Sequence, residues 1–119
     1  MKEQILKLIR QKTEFPLTAF RNQIPEITGG FDFIFPSKGV ENSNILLMAK
    51  VSEEFILTMR DLISAQVLTF EPTDPLLVSF DGGEFYKLPL VKRRQPAYKS
   101  LHWLPLMIKR GKNFPKVAS

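Results

Sequence analysis

From Lys2 to Lys12 the apolar residues Ile5, Leu6, Leu8 and Ile9 recur at near-helical spacing among Lys and Gln, and this period predicts a helix. Pro16 opens a second segment. There Leu17, Phe20 and Ile24 fall at i, i+3 and i+7 before Pro25 stops the pattern, which predicts a short second helix with Arg21, Asn22 and Gln23 on its polar side. The period then changes. Gly29 and Gly30 read as a loop, and Phe31, Phe33 and Phe35 alternate with Asp32 and Ile34 as a short strand does, closed by Pro36 and Gly39. The run Ile45 to Met48 has strand length, although periodicity alone leaves strand and buried helix open.

The clearest signal is VSEEFILTMRDLISAQ. Ser52 is a good N-cap, Glu53 and Glu54 suit the positive end of a helix dipole, and Val51 and Ile56 have the spacing of a hydrophobic staple. Phe55, Ile56, Met59, Leu62 and Ile63 then form a single apolar stripe, so this helix has one face in the core. Val67 to Phe70 reads as a strand ended by Pro72 and Pro75. Leu76 to Phe80 and Phe85 to Val91 flank Asp81-Gly82-Gly83-Glu84, which reads as a tight hairpin turn, because glycine supplies positive φ freely. Pro89 cannot donate a ladder hydrogen bond and marks the second of these strands as an edge. There is no internal repeat.

Two helices, a capped third helix and an immediate β-hairpin make up the element order of a winged-helix domain. Residues 1–91 resemble that helix-turn-helix superfamily, with a strand-like insertion at 31–48. The expected fold is therefore α+β: a three-helix core with a hairpin wing over 1–91, and a basic, Pro-punctuated C-terminal extension over 92–119 that packs partly on it. The segments NILLMAKVSEEF, VLTFEPTDP and DGGEFYKLPL are also similar to small uncharacterised proteins of bacterial mobile elements, a likeness that transfers no function. The winged-helix resemblance implies DNA contact by the third helix and the hairpin tip. Yet the exposed face of 52–65 carries Glu53, Glu54 and Asp61 against Arg60, and the tip carries Asp81 and Glu84. Both surfaces repel phosphate, whose neutralisation supplies most of the affinity for duplex DNA.

Charge moves the expected contacts elsewhere. The chain has 17 Lys and Arg against 12 Asp and Glu, a net +5. The last acidic residue is Glu84, so residues 85–119 hold nine basic groups and no acidic one. Such asymmetry suits a phosphate polyanion, and equally suits a tail folded back over its own acidic body. Candidate nucleic-acid contacts are Lys92, Arg93, Arg94, Lys99, Lys109, Arg110 and Lys112 in the tail. Arg21, Asn22 and Gln23 join them as types that pair with guanine and adenine edges, the alternative for this trio being a solvated helix face. Tyr98, Trp103 and Phe114 are aromatic groups of the kind that stack on bases. The cluster around Leu101, Trp103, Leu104 and Met107 is too apolar to leave in water and is expected in the core or in a homodimer interface.

Other chemistry is poorly provided for. The chain has no cysteine, which removes disulfides, thiol catalysis and Cys-ligated zinc and suits a reducing cytoplasm. His102 is the lone histidine, with no ligand spacing around it, so no metal is expected. No nucleophile elbow or phosphate loop is present, and the spacing of Asp81, Glu84 and Lys87 misses the alternation of a magnesium nuclease. No signal peptide or apolar run of about 20 residues occurs, so no membrane span is expected. The expectation is a non-enzymatic, cytoplasmic nucleic-acid-binding or transcription-associated module without cofactor or small-molecule substrate. The alternative is a protein–protein interaction or dimerisation domain that does not bind DNA.

Overall fold

The computed structural model describes residues 1–93 and 95–116 and shows an α+β fold of four helices and two three-stranded sheets. Helix α1 (Lys2–Lys12) buries Ile5, Leu6, Leu8 and Ile9, the stripe its period predicts. Strand β1 (Glu14–Pro16) follows, then a 3₁₀ turn (Leu17–Ala19) that runs into helix α2 (Phe20–Gln23). Pro25 opens another 3₁₀ turn (Pro25–Ile27), which leads into strand β2 (Thr28–Ile34). The ambiguous run is a strand, β3 (Ile45–Val51), antiparallel to β2 with register shifts along the pair.

Helix α3 (Glu53–Ser64) starts where the capping signal lies: Ser52 is in an extended conformation and its Oγ accepts from Phe55 N at 3.1 Å. Such a cap contributes about 1 kcal/mol. Phe55, Met59 and Leu62 carry the buried face. Phe55 packs on Phe20 at 6.1 Å and on Phe33 at 6.4 Å between centroids, so one aromatic residue of α3 ties α2 to β2. Full burial of each such ring stabilises the fold by roughly 1.5–3 kcal/mol. Strand β4 (Leu68–Pro72) leaves α3 after a short turn.

Residues 76–91 differ from expectation. Leu76–Phe80 is not a strand but the body of helix α4 (Pro75–Phe80). Asp74 caps it through a bond from Leu76 N at 2.8 Å, and Pro75 occupies the first turn, where its missing N–H costs nothing. Gly82 does take positive φ (75°), but as a helix terminator. Gly82 N donates to Ser79 O at 3.1 Å and Gly83 N to Val78 O at 2.9 Å, the bond pair of a Schellman cap. A glycine pair after an apolar run satisfies either a hairpin or a helix end, and the Asp-Pro start decides for the helix. Residues 85–91 form no second hairpin strand; a single bridge joins Leu90 to Trp103 in parallel.

The basic C-terminal segment supplies two strands, β5 (His102–Trp103) and β6 (Leu106–Arg110). Strand β6 is the middle of the first sheet, order β1–β6–β4, antiparallel to both neighbours. Strand β5 joins the second sheet, order β2–β3–β5, in parallel with β3. Trp103, Leu106, Met107 and Ile108 are all buried. Expected to pack partly on the domain, this stretch instead completes both sheets. Among the described residues no helix is long and apolar enough to cross a membrane.

Candidate nucleic-acid interface

The structure divides the candidate contacts by what already occupies them. Arg21 is engaged by the chain itself. Its guanidinium donates to Glu84 Oε2 at 2.6 Å and to the carbonyls of Lys50 and Ala49, each at 2.6 Å. Asn22 Nδ2 donates to Gly82 O at 2.6 Å, which ties α2 to the cap of α4. Gln23, by contrast, is exposed. The trio is thus no uniform solvated face: two of its members fasten the 80–84 turn to α2.

Strand β6 treats its cations the same way. Lys109 Nζ lies 2.6 Å from Glu71 on β4 and 3.4 Å from Glu14 on β1, so it bridges the sheet crosswise, and the Glu71 hydrogen bond foremost raises its pKa. Arg110 reaches the carbonyls of Ile9 and Arg10 at the end of α1, where the dipole favours a cation, and its guanidinium lies over the Phe114 ring at 5.2 Å. Phe114 is thereby occupied from within the chain. Lys112 is exposed beside them.

A different arrangement holds at the 89–102 loop. Lys92, Arg93 and Lys99 are exposed, and Arg94 lies outside the described residues. Lys92, Arg93, Gln95, Tyr98 and His102 line one shallow pocket of about 360 Å³. The Tyr98 and His102 rings stack at 4.0 Å between centroids and 24° between planes. Both are fixed by backbone: Tyr98 N donates to Ser43 O at 2.9 Å and His102 N to Asn44 O at 2.8 Å. His102 Nδ1 sits 2.8 Å from Ser100 O; a carbonyl only accepts, so Nδ1 carries the hydrogen and a neutral ring offers Nε2 as acceptor.

Beneath the loop, Trp103 is fully buried between Phe85 and Tyr86, with centroids at 5.3 and 5.2 Å in edge-on geometry. Trp103 N donates to Pro89 O and Val91 N to Trp103 O, which pins the loop at its start. Of the four expected interface residues, Trp103 and Met107 are buried within the chain and Leu101 and Leu104 are half-buried. Trp103 is therefore neither a base platform nor a free interface.

Two features had no signal in the candidate list. Tyr86 donates to Glu84 Oε1 and accepts from Ala49 N, each at 2.9 Å, which extends the Arg21 network; burial foremost pushes its phenol well above the usual range. The i, i+2 spacing of Glu84 and Tyr86 places both on one side of an extended segment and was the available clue. The other is an apolar surface on α4, where Leu76 and Phe80 are 68% and 82% exposed and Leu77 is exposed one position along. Among the described residues no group of three or more His, Cys, Asp or Glu side chains is placed to hold a metal ion. Comparison with family models, with curated proteins and with solved structures finds no match to this chain.

Proposed function

We propose that the chain is a non-enzymatic nucleic-acid-binding module whose contacts lie on the 89–102 loop rather than on α3. The observation that carries this reading is the pocket that gathers Lys92, Arg93, Tyr98 and His102 beside exposed Lys99. Cations flanking a stacked aromatic pair suit a phosphate backbone with an unpaired base, the chemistry of single-strand binding. As for the winged-helix likeness, α3 runs into β4, and β4 belongs to an antiparallel β4–β6 pair with α4 and β5 between its strands in the chain. Its connection is the long excursion 73–105, not the Asp81–Glu84 turn. Glu53, Glu54 and Asp61 on α3 remain unfavourable to phosphate.

The test is binding of the full chain to random single-stranded and duplex DNA over a salt series. Lys92→Gln, Arg93→Gln and Lys99→Gln should each lower the log–log salt slope by roughly 0.7 on single strands. Lys109→Gln, which breaks only internal pairs, should leave the slope unchanged. Absence of binding at low salt overturns the proposal.

The exposed apolar side chains of Leu76, Leu77 and Phe80, neighbours on α4 by the i, i+4 and i, i+3 spacing of Phe80 from the two leucines, favour a second reading, a protein–protein or homodimer interface, since exposed apolar area of this kind commonly marks one. Light scattering of the native chain and of Phe80→Ser tests it; a monomer in both removes the homodimer.

A further inference from the structure

A second cavity lies between the two sheets and under the C-terminal half of α3, with a volume of about 210 Å³. Its floor is buried and apolar: Leu17, Phe33, Leu47 and Met59. Half-buried Phe35 of the loop after β2 and Phe70 of β4 meet edge-on at 6.0 Å and 78°, so this loop touches the first sheet through these rings at the cavity. Half-buried Ile63 and exposed Arg60, Ser64 and Pro36 also line it, one turn of α3 placing Arg60 and Ser64 on the same side, and Leu106 and Ile108 of β6 close it. Among the described residues Arg60 is the one charged group lining this cavity, and it pairs with no carboxylate.

The lining thus runs from an apolar floor to exposed residues that include one cation and one hydroxyl. Apolar cavities of about 150 Å³ lined by Leu, Ile and Phe hold a benzene-sized guest, so this volume has room for a chain of about eight carbons. Pockets of this kind gain affinity from the apolar body and orientation from the few polar groups at the rim. A guanidinium's fork of donors matches a carboxylate in bidentate fashion.

We propose that this cavity binds a small apolar monocarboxylate, its hydrocarbon portion against Phe33, Leu47 and Met59 and its carboxylate on Arg60, with Ser64 Oγ donating a further bond. This site is independent of the nucleic-acid reading and uses none of its residues.

The experiment is methyl NMR of the full chain titrated with octanoate, octan-1-ol and octylammonium. Octanoate is expected to shift the methyl signals of Met59, Leu47 and Ile63 saturably, with at least tenfold tighter binding than octan-1-ol and no comparable response to octylammonium. Arg60→Gln should weaken octanoate about tenfold and erase its advantage over the alcohol, while octan-1-ol still shifts the same methyls and so shows the pocket intact. Ile63→Trp, which fills the rim, should abolish both. The proposal falls if octanoate leaves these methyls unmoved up to its solubility, if all three probes bind equally, or if Arg60→Gln leaves the preference intact.

Discussion

Arg21 Nε donates to Glu84 Oε2 across 2.6 Å, although 63 positions separate the two residues. The pair anchors the excursion after β4 to the second helix, and the remaining guanidinium donors fasten the same arginine to β3 through Lys50 and Ala49. Arg21→Ala should therefore lower stability by about 2 kcal/mol, the range for hydrogen bonds to charged groups in a partly buried setting. Urea unfolding of Arg21→Ala, Glu84→Ala and the double variant checks this, with the double costing less than the sum of the singles.

Tyr86 shares that network, and the direction of its shift sets an alkaline limit. Burial raises the folded-state pKa above the ordinary phenol value of 10.0, so the unfolded chain releases this proton first. The stability tied to Tyr86 is complete below about pH 10 and falls as pH rises from there toward the higher folded-state value. Denaturation midpoints across that interval should drop more steeply in the native chain than in Tyr86→Phe. Parallel curves would refute it.

Trp103 is the chain's single tryptophan, fully buried between Phe85 and Tyr86. Its fluorescence should be blue-shifted and resist acrylamide in the native state. Trp103→Ala should cost about 3–5 kcal/mol, since removal of a buried indole leaves a cavity that neighbours fill only in part.

Gly111 follows β6 where the chain passes the corner between α3 and β4. A Cβ there would press into the Gln66 carbonyl, while Gly111 N donates to Val67 O at 2.9 Å. The clashing atoms, the Gln66 carbonyl carbon and oxygen, are backbone, so no side-chain rotation relieves the overlap. Gly111→Ala should lower the denaturation midpoint, whereas Gly30→Ala, at a position with open space, should not.

What the pattern of residues revealed follows the range of the forces involved. Helix α3 was legible because its signals are local: Ser52, the two glutamates and the apolar stripe all lie within the element. Leu76–Phe80 misled because its apolar run and trailing glycines satisfy two motifs, and of the deciding residues, Asp74 and Pro75, the proline serves as well to stop the strand before it as to open α4. The paired strand β6 was hidden because its partners lie far away in sequence. Lys109 looks like a free cation until Glu14 and Glu71 are brought to either side of it. The same distance effect hid the occupation of Arg21, whereas Lys92, Arg93 and Lys99 stay exposed as their local sequence suggests.

The position of β6 between β1 and β4 has a consequence for how the chain reaches its native state. Glu14 pairs with Lys109, about ninety-five positions later, so the first sheet closes only when nearly the whole chain is present. Pairings of such separation carry a loop-closure cost before they return any contact, which slows folding. Until β6 arrives, β1 and β4 both present unpaired edges, the template on which other chains add. A cut ahead of position 102 would therefore not trim an appendage: it would remove the middle plank of one sheet and leave a molecule prone to associate with its own copies.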